Sequence, residues 1–543
     1  MDNDHRENIL HQAFLGEGYR RDRSALDCFR YEGCIRVKEK SIAVAWKLKD
    51  LEFLKLPILQ LTARDADLPG IVAHINRKSE YCYAQEGSLI LDRYNIPYSI
   101  KVCLNYAQAA LTDALSRRDH SGDIENEFVQ HWLGESYIYA DLRMAPSSRA
   151  VVAPHAAGKV LTDLQFVKVP RGSTPAWVQR TDAPLTFRAG QEAPSTWSEF
   201  AAWLATIDPD AVKSLTEHLT EMYPNLPLLF VRAPNATVGI RLDITSKLLK
   251  GAQRKEGFSN LLRLNGGQLH IERVTAERAD PDYIFSRNQG LNIFRRKKVA
   301  LLGCGTIGSH LAKFMAQSGV GANGGFLALV DQDMLQPGNL GRHWLGQNYI
   351  GQNKAEAVKS EIVKTLPKLN LKAVAGDAYQ HLAEFSKYDV VVDATGEEAF
   401  SIALNHYFTE RRYQAANAPT LIHVWLAGAG DAAQALLVED KSHACYRCLN
   451  PRHEPRGRFS PLLSDYTPQE MPARCGESAY MPYGVAASAL AAGLALSMLS
   501  QWATGASKPY LRTVYVSGRN TKMLKDSNPS RSEHCPACGR YPK

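Results

Sequence analysis

Long aliphatic runs are scarce in this chain. Only Tyr483 to Ala503 approaches the length of a membrane span, and it is mostly Ala, Gly and Ser. Its strong aliphatics are Val485, Leu490, Leu494, Leu496 and Leu499, a composition that suits a helix buried at an interface better than one in lipid. An apolar leader is also lacking: the opening MDNDHRENILHQAF is charged and reads as an amphipathic helix. Net charge is +8, but the basic residues are scattered, and the cluster Arg295-Arg296-Lys297-Lys298 runs into an apolar strand. No stripe for nucleic acid is expected. Cysteine usage argues against a disulfide framework. Ten cysteines are spread over 543 residues and four of them form two CxxC pairs, which suits a reducing cytoplasm. The length leaves room for two to four globular domains with real cores.

What is present is organised around Lys297 to Lys354. Lys298-Val299-Ala300-Leu301-Leu302 is a short apolar run that enters Gly303-x-Gly305-x-x-Gly308, and a helical pattern follows. A strand, a tight glycine turn and a helix N-terminus make a cradle for a nucleotide phosphate. Alone, that signal serves an NAD-dependent oxidoreductase equally well. A second strand, Phe326 to Val330, ends at Asp331, 23 residues after Gly308, where a carboxylate suits a ribose in either kind of site. The row after it is more telling: Asp331-x-Asp333, then Asn339, Arg342 and Lys354. Hydride transfer needs no such row. Activation of a carboxylate by ATP needs cations on the polyphosphate and polar groups near the leaving group.

This row resembles the ThiF/MoeB superfamily, which includes ubiquitin-activating enzymes and whose pattern is a glycine turn, D-x-D, N-x-x-R and a downstream Lys. The resemblance implies adenylation of a protein C-terminus with ATP and Mg²⁺, in a head-to-head homodimer. Arg287 matches the family arginine upstream of the turn, which serves the ATP site of the partner subunit. Further strands at Leu371 to Ala375 and Asp389 to Asp393 imply an open, mainly parallel sheet. The second ends in Asp393-Ala394-Thr395-Gly396, where simpler family members carry D-x-T-D-N. Gly396 replaces their metal-binding Asp; Asp393 and Glu397 are the nearby candidates for the Mg²⁺ contact, and Asp393 is the preferred one.

Two spaced pairs follow, Cys445-x-x-Cys448 and Cys535-x-x-Cys538, which suit a closed tetrahedral Zn²⁺ site. The family carries such a clip at the end of the chain. Between the pairs lies Cys475, preceded by Arg474 and shortly before the Ala-rich helix. From the residues alone it is a structural thiol or a nucleophile with a helix-lowered pKa. The resemblance makes it the thioester cysteine of the activating domain.

In residues 1–150, Ser41 to Leu48 and Leu56 to Thr62 read as strands, and Ile96 to Leu115 as a helix with Ile100, Cys103, Leu104 and Ala107 on one face. Cys82 ends a polar, irregular stretch between them, as either a half-buried structural thiol or a surface nucleophile. The order of elements resembles a ubiquitin-conjugating domain. His74-Ile75-Asn76 then stands for the family's His-Pro-Asn, and Cys82 for its acyl-carrying cysteine. Arg77 and Lys78 lie nearby in sequence.

Residues 151–285 carry no cluster of ligands or nucleophiles and read as a linker domain. Pro154 to Pro194 looks irregular, Trp197 to Tyr223 helical, and Leu228 to Arg232 and Val238 to Leu242 like strands.

The expected architecture is α/β: an N-terminal α+β conjugating-like domain, a linker domain with the hinge, and a Rossmann-like adenylation domain over 286–543. The whole resembles bacterial fusion proteins of antiviral CBASS operons, which charge the C-terminus of a cGAS/DncV-like nucleotidyltransferase (CD-NTase). The implied relay runs from the adenylate to Cys475, then to Cys82, then to an amine such as a target lysine. The alternatives are an activating enzyme for a ubiquitin-like or sulfur-carrier protein, the oxidoreductase, and a non-catalytic scaffold.

Overall fold

The computed structural model describes residues 3–25, 27–37, 39–62, 74–75, 79–85, 87–116, 121–132, 134–142, 147–155, 158–163, 169, 171–188, 191–244, 254–287, 290–366, 368–471 and 481–542. They fall into two compact units, Met1–Asp280 and Pro281–Lys543.

In the first unit, helix α1 (Asn3–Gly16) precedes strands β1 (Arg20–Asp22), β2 (Phe29–Val37), β3 (Lys40–Leu48), β4 (Ile58–Leu61) and β5 (Glu80–Tyr81). These pair in sequence order as an antiparallel sheet. Alternation fixes which face is buried: Ile42, Val44, Trp46 and Leu48 of β3 point inward. Trp46 is fully buried, with its ring at an edge to Tyr83 and tilted against Phe14 of α1. Helix α2 (Ile96–Ser116) closes this core through Ile100, Cys103, Ala107 and Leu111.

Short helices α3 (Ser121–Asn126) and α4 (Phe128–Trp132) then lead into a closed seven-stranded barrel. Its strands are β6 (Ser136–Asp141), β7 (Ser148–His155), β8 (Gly158–Asp163), β9 (Thr174–Arg180), β10 (Leu228–Arg232), β11 (Thr237–Asp243) and β12 (His270–Arg278), in the order β10-β11-β12-β6-β8-β7-β9. Closure removes the sheet edges. Between β9 and β10, Asp208 caps the second helix of the pair α5 (Trp197–Ala205) and α6 (Pro209–Met222), whose first residue is the proline that breaks the stretch in two. A nest of aromatic rings, Phe128, Trp132, Phe187 and Trp203, joins α4 to those helices. Trp132 also donates its indole N–H to the Val274 carbonyl. Ile124, Phe128 and Trp132 thus share one core with α5, α6 and residues of β10, β11 and β12.

The second unit holds a seven-stranded sheet in the order β15-β14-β13-β16-β17-β18-β19. Its strands are β13 (Lys298–Leu302), β14 (Phe326–Asp331), β15 (Leu371–Ala375), β16 (Val390–Asp393), β17 (Thr420–Ala427), β18 (Ala432–Val438) and β19 (Leu511–Tyr515). The first five are parallel to their neighbours, while β18 and β19 run antiparallel. Chain order reverses between β13 and β16, so their carboxyl ends flank the crevice where such sheets bind ligands. Among the described residues, one helix, Val485–Ala503, is long and apolar enough to cross a membrane by length and composition. Its alanine face, including Ala491, Ala492 and Ala495, packs in the core that also holds Leu311 and Met315 of the helix Thr306–Gln317.

Candidate functional site

Three glycines shape the crevice, each for a different reason. Gly303 has φ +83°, and a Cβ there would lie 2.8 Å from the Thr395 backbone. A Cβ on Gly308 would meet the Gly303 carbonyl oxygen at 1.8 Å. Gly305 faces open space at the N-terminus of Thr306–Gln317, the position an anion would approach.

The Asp331 carboxylate steadies the turn. It accepts from the Cys304 N–H at 2.6 Å and the Asp333 N–H at 2.8 Å, and burial pushes its pKa up. Lys354 Nζ lies 2.8 Å from Asp333 Oδ2. Asn339 accepts from the Gln336 N–H at 3.0 Å. Arg342 stacks its guanidinium 4.5 Å from the Tyr483 ring centroid and donates to the Met481 carbonyl at 3.3 Å. Tyr483 OH in turn lies 2.8 Å from Thr306 Oγ1, beside the glycine turn. Arg287 lies over the Tyr283 ring on its own helix, Pro281–Arg287.

Two residues of this cradle carry no motif. His343 donates from Nε2 to the Cys304 carbonyl at 2.8 Å while Nδ1 accepts from the Leu345 N–H at 3.1 Å. Burial pushes its pKa down to about 4, so it is a neutral brace at ordinary pH. Asn353 donates to the Asp331 and Asp333 carbonyls and caps the helix Lys354–Thr365, which sets the direction of Lys354. An Asn just before a helical pattern is a signal that sequence reading has available.

Asp393 stands apart from its expected role as a Mg²⁺ contact. It is 2% exposed, and both oxygens are engaged. Oδ1 accepts from the Thr395 hydroxyl at 2.8 Å; Oδ2 faces Ser401 Oγ at 2.5 Å and His423 Nδ1 at 2.9 Å. Its carboxylate braces the ends of β16 and β17 rather than facing the crevice. Burial alone would push its pKa up, but the hydrogen bonds, led by that from His423, outweigh it and hold the pKa below the ordinary value. A depressed folded-state pKa stabilises the fold above the unfolded value of about 3.9, and that contribution is lost as pH falls through the folded value. Asp393→Asn is expected to cost about 3 to 5 kcal/mol in denaturant unfolding at neutral pH and to flatten the acid limb of the stability curve.

Beyond His423, β17 continues to Ala427 while its ladder with β16 stops. Trp425, Leu426, Tyr446, Phe459 and Leu462 line a cleft of about 510 Å³ there, and Gly396 also lines it.

The Sγ atoms of Cys445, Cys448, Cys535 and Cys538 all lie within 4.8 Å of one another, and all four residues are buried. The Cys445–Cys448 and Cys445–Cys535 separations are 3.8 and 3.7 Å. Tetrahedral zinc with Zn–S near about 2.3 Å places its sulfurs about 3.8 Å apart, so the donor set fits that ion. Asn405 and the Ser532 N–H donate to the Cys445 and Cys448 sulfurs, a supporting layer that four CxxC letters do not reveal.

In the first unit, Cys82 is exposed. Its N–H donates to the His74 carbonyl at 2.8 Å, and Ile75 bridges Tyr81, which makes the return from His74 to Cys82 short. Burial, then the charge of Glu127, raises the thiol's pKa. Asn76, Arg77 and Lys78 lie outside the described residues, as does Cys475 within 472–480. Cys82 borders a cleft of about 630 Å³ that also includes His74, Glu127 and His131.

Residues 281–537 match the ThiF family. Along its length the chain is similar to three proteins named ATP-dependent ubiquitin transferase-like protein Cap2. It is 29% identical over 508 residues to that of Pseudomonas aeruginosa, covering 90% of each chain. It is 24% identical to that of Escherichia coli, covering 92% of each, and 25% identical to that of Vibrio cholerae, covering 90% of this chain and 92% of that one. Among solved structures, Escherichia coli MccB with ATP aligns at a TM-score of 0.35 and 21% identity, over 46% of this chain and 68% of that one.

Proposed function

We propose that this chain, whose residues 281–537 match the ThiF family and which along its length is similar to proteins named ATP-dependent ubiquitin transferase-like, is an ATP-dependent enzyme that activates the C-terminal carboxylate of a partner protein, a CD-NTase of a CBASS operon. The observation that carries this reading is the closeness of the glycine turn to the end of β16: a Cβ on Gly303 would lie 2.8 Å from the Thr395 backbone, and the next residue, Gly396, lines the aromatic cleft. The open edge of β17 beyond β16 offers backbone groups to an extended tail, which would pair as an added strand and point its terminus at the cradle.

Each residue then has a task. The helix N-terminus at Gly305 and the Lys354 ammonium hold the polyphosphate, and Asp331 fixes the turn and faces the ribose. Arg342 and Asn339 stabilise charge that develops as the carboxylate attacks the α-phosphorus and pyrophosphate leaves. Magnesium brought with the nucleotide would neutralise phosphate charge, and with Asp393 turned inward the exposed Glu397 is the residue that would hold it. Arg287 serves the ATP site of a second copy in a homodimer. Cys475 displaces AMP to give a thioester. The acyl group passes to Cys82 and then to an amine, a lysine of the target. Thiol-to-thiol transfer is nearly isoenergetic, so ATP cleavage drives the sequence.

Lys354→Ala is expected to lower partner-dependent ATP–pyrophosphate exchange about 100-fold, because the cation acts where charge develops. Its melting temperature should move little, since its pairing with Asp333 is partly solvated. Unchanged exchange in this variant would remove the phosphate-holding role. The relay itself is tested by a reductant-sensitive partner adduct: Cys82→Ala should retain one adduct and lose conjugation, and normal conjugation by that variant contradicts the assignment.

A further inference from the structure

The second cleft, in the N-terminal unit, holds an arrangement that the relay as written does not use. Glu127 lies between two histidines. One oxygen is 2.5 Å from His74 Nδ1, and the other accepts the His74 backbone N–H at 2.8 Å. His131 sits four residues on, with Nε2 3.9 Å from Glu127 Oε2. The His131 side chain is 8% exposed, and its Nε2 has no hydrogen-bond partner. A buried, unpaired imidazole nitrogen costs free energy unless something arrives to use it. All three residues line the same cleft as Cys82.

We propose that Glu127 and His131 form a proton-accepting pair for the amine that attacks the acyl group on Cys82. This rests on the proposed role of Cys82 as an acyl carrier. The amine nitrogen attacks the thioester carbon, the C–N bond forms, and the C–S bond breaks with its electron pair on Cys82 Sγ. A substrate that enters as an ammonium first gives its additional proton to Glu127 Oε2, which shares it with His131 Nε2 and releases it to water. The proton that the nitrogen sheds as the amide forms goes to the departing sulfur, whose raised pKa favours the thiol. Burial pushes the His131 pKa down, so the imidazole is bare at neutral pH, and the Glu127 charge opposes that push. His74 positions the pair: through its ring and backbone it ties Glu127 to the segment that ends at Cys82.

The pair does work that only a basic amine requires. Free lysine is mostly ammonium at neutral pH and needs its proton removed, whereas hydroxylamine is already neutral. The test uses the full chain, charged with ATP and partner peptide, stripped of ATP, and discharged in a single turnover by each nucleophile. Glu127→Gln and His131→Gln are expected to slow discharge to lysine by about 100-fold and to leave discharge to hydroxylamine within about twofold. Wild-type rates to lysine in both variants overturn the proposal. So does equal slowing with both nucleophiles, which signals a structural role only. His131→Asn provides a second variant should the glutamine disturb packing. A wild-type chain that never carries an acyl group on Cys82 overturns the relay and this pair together, an outcome distinct from the previous two.

Discussion

Gly308→Ala is expected to abolish nucleotide binding and partner-dependent exchange, and to destabilise the second unit as well. A Cβ at this position would stand 1.8 Å from the Gly303 carbonyl oxygen. That oxygen belongs to the backbone of the turn, which is itself held by the Gly303 N–H to Val330 carbonyl hydrogen bond at 2.9 Å. The turn must open or the helix Thr306–Gln317 must move off the sheet, and overpacking of this kind costs about 1 to 3 kcal/mol. Gly305→Ala is the informative partner. Its φ is −72°, and no atom lies within 4 Å of the added Cβ. That variant should melt like the parent yet bind ATP poorly, because the methyl group occupies the approach to the helix N-terminus. Thermal melts and nucleotide titrations of the two variants separate the effects. Normal ATP affinity in Gly305→Ala would mean that the phosphate lies elsewhere.

The second large effect concerns the four cysteines. Metal analysis is expected to find one zinc per chain, and Cys448→Ser to lose it. In small zinc peptides the ion contributes roughly 10 kcal/mol or more of apparent folding free energy. The cluster here joins the 445–448 turn to the 535–538 turn and lies in a core that also includes Leu436, Phe408 and Ala444. Removal should therefore loosen the β17–β19 side of the sheet. Chelation should lower the unfolding midpoint and restored zinc should recover it. The loss should deepen as pH falls, because the thiolates must shed their protons to bind. A chain that melts unchanged after complete chelation would leave the four sulfurs without that role.

The parts that were legible in sequence are those whose chemistry is local. The glycine turn, the Asp331-x-Asp333 row and the CxxC pairs are short strings in which spacing alone brings the groups together. The barrel was not legible. Pro154 to Pro194 looked irregular because of its Pro, Gly and Thr content, yet β8 and β9 lie within it. Their pairing partners come from far along the chain, as in the register of Leu228 opposite Ala176, and β-propensity yields to such contacts. Among the site residues, Asp393 follows from sequence only by analogy to a motif that Gly396 interrupts. The structure turns it toward His423, thirty residues on, which no spacing rule reports. Glu127 was equally silent: its partner His74 lies 53 residues earlier.

The central claim is that the glycine cradle activates a protein's C-terminal carboxylate. ATP–pyrophosphate exchange with a synthetic peptide bearing the partner's C-terminus tests it most directly. Exchange is predicted to require the peptide, to vanish when its terminal carboxylate is amidated, and to fall when Trp425 in the adjoining cleft is replaced by alanine. Exchange that proceeds equally with the amidated peptide, or with no peptide at all, would contradict the account.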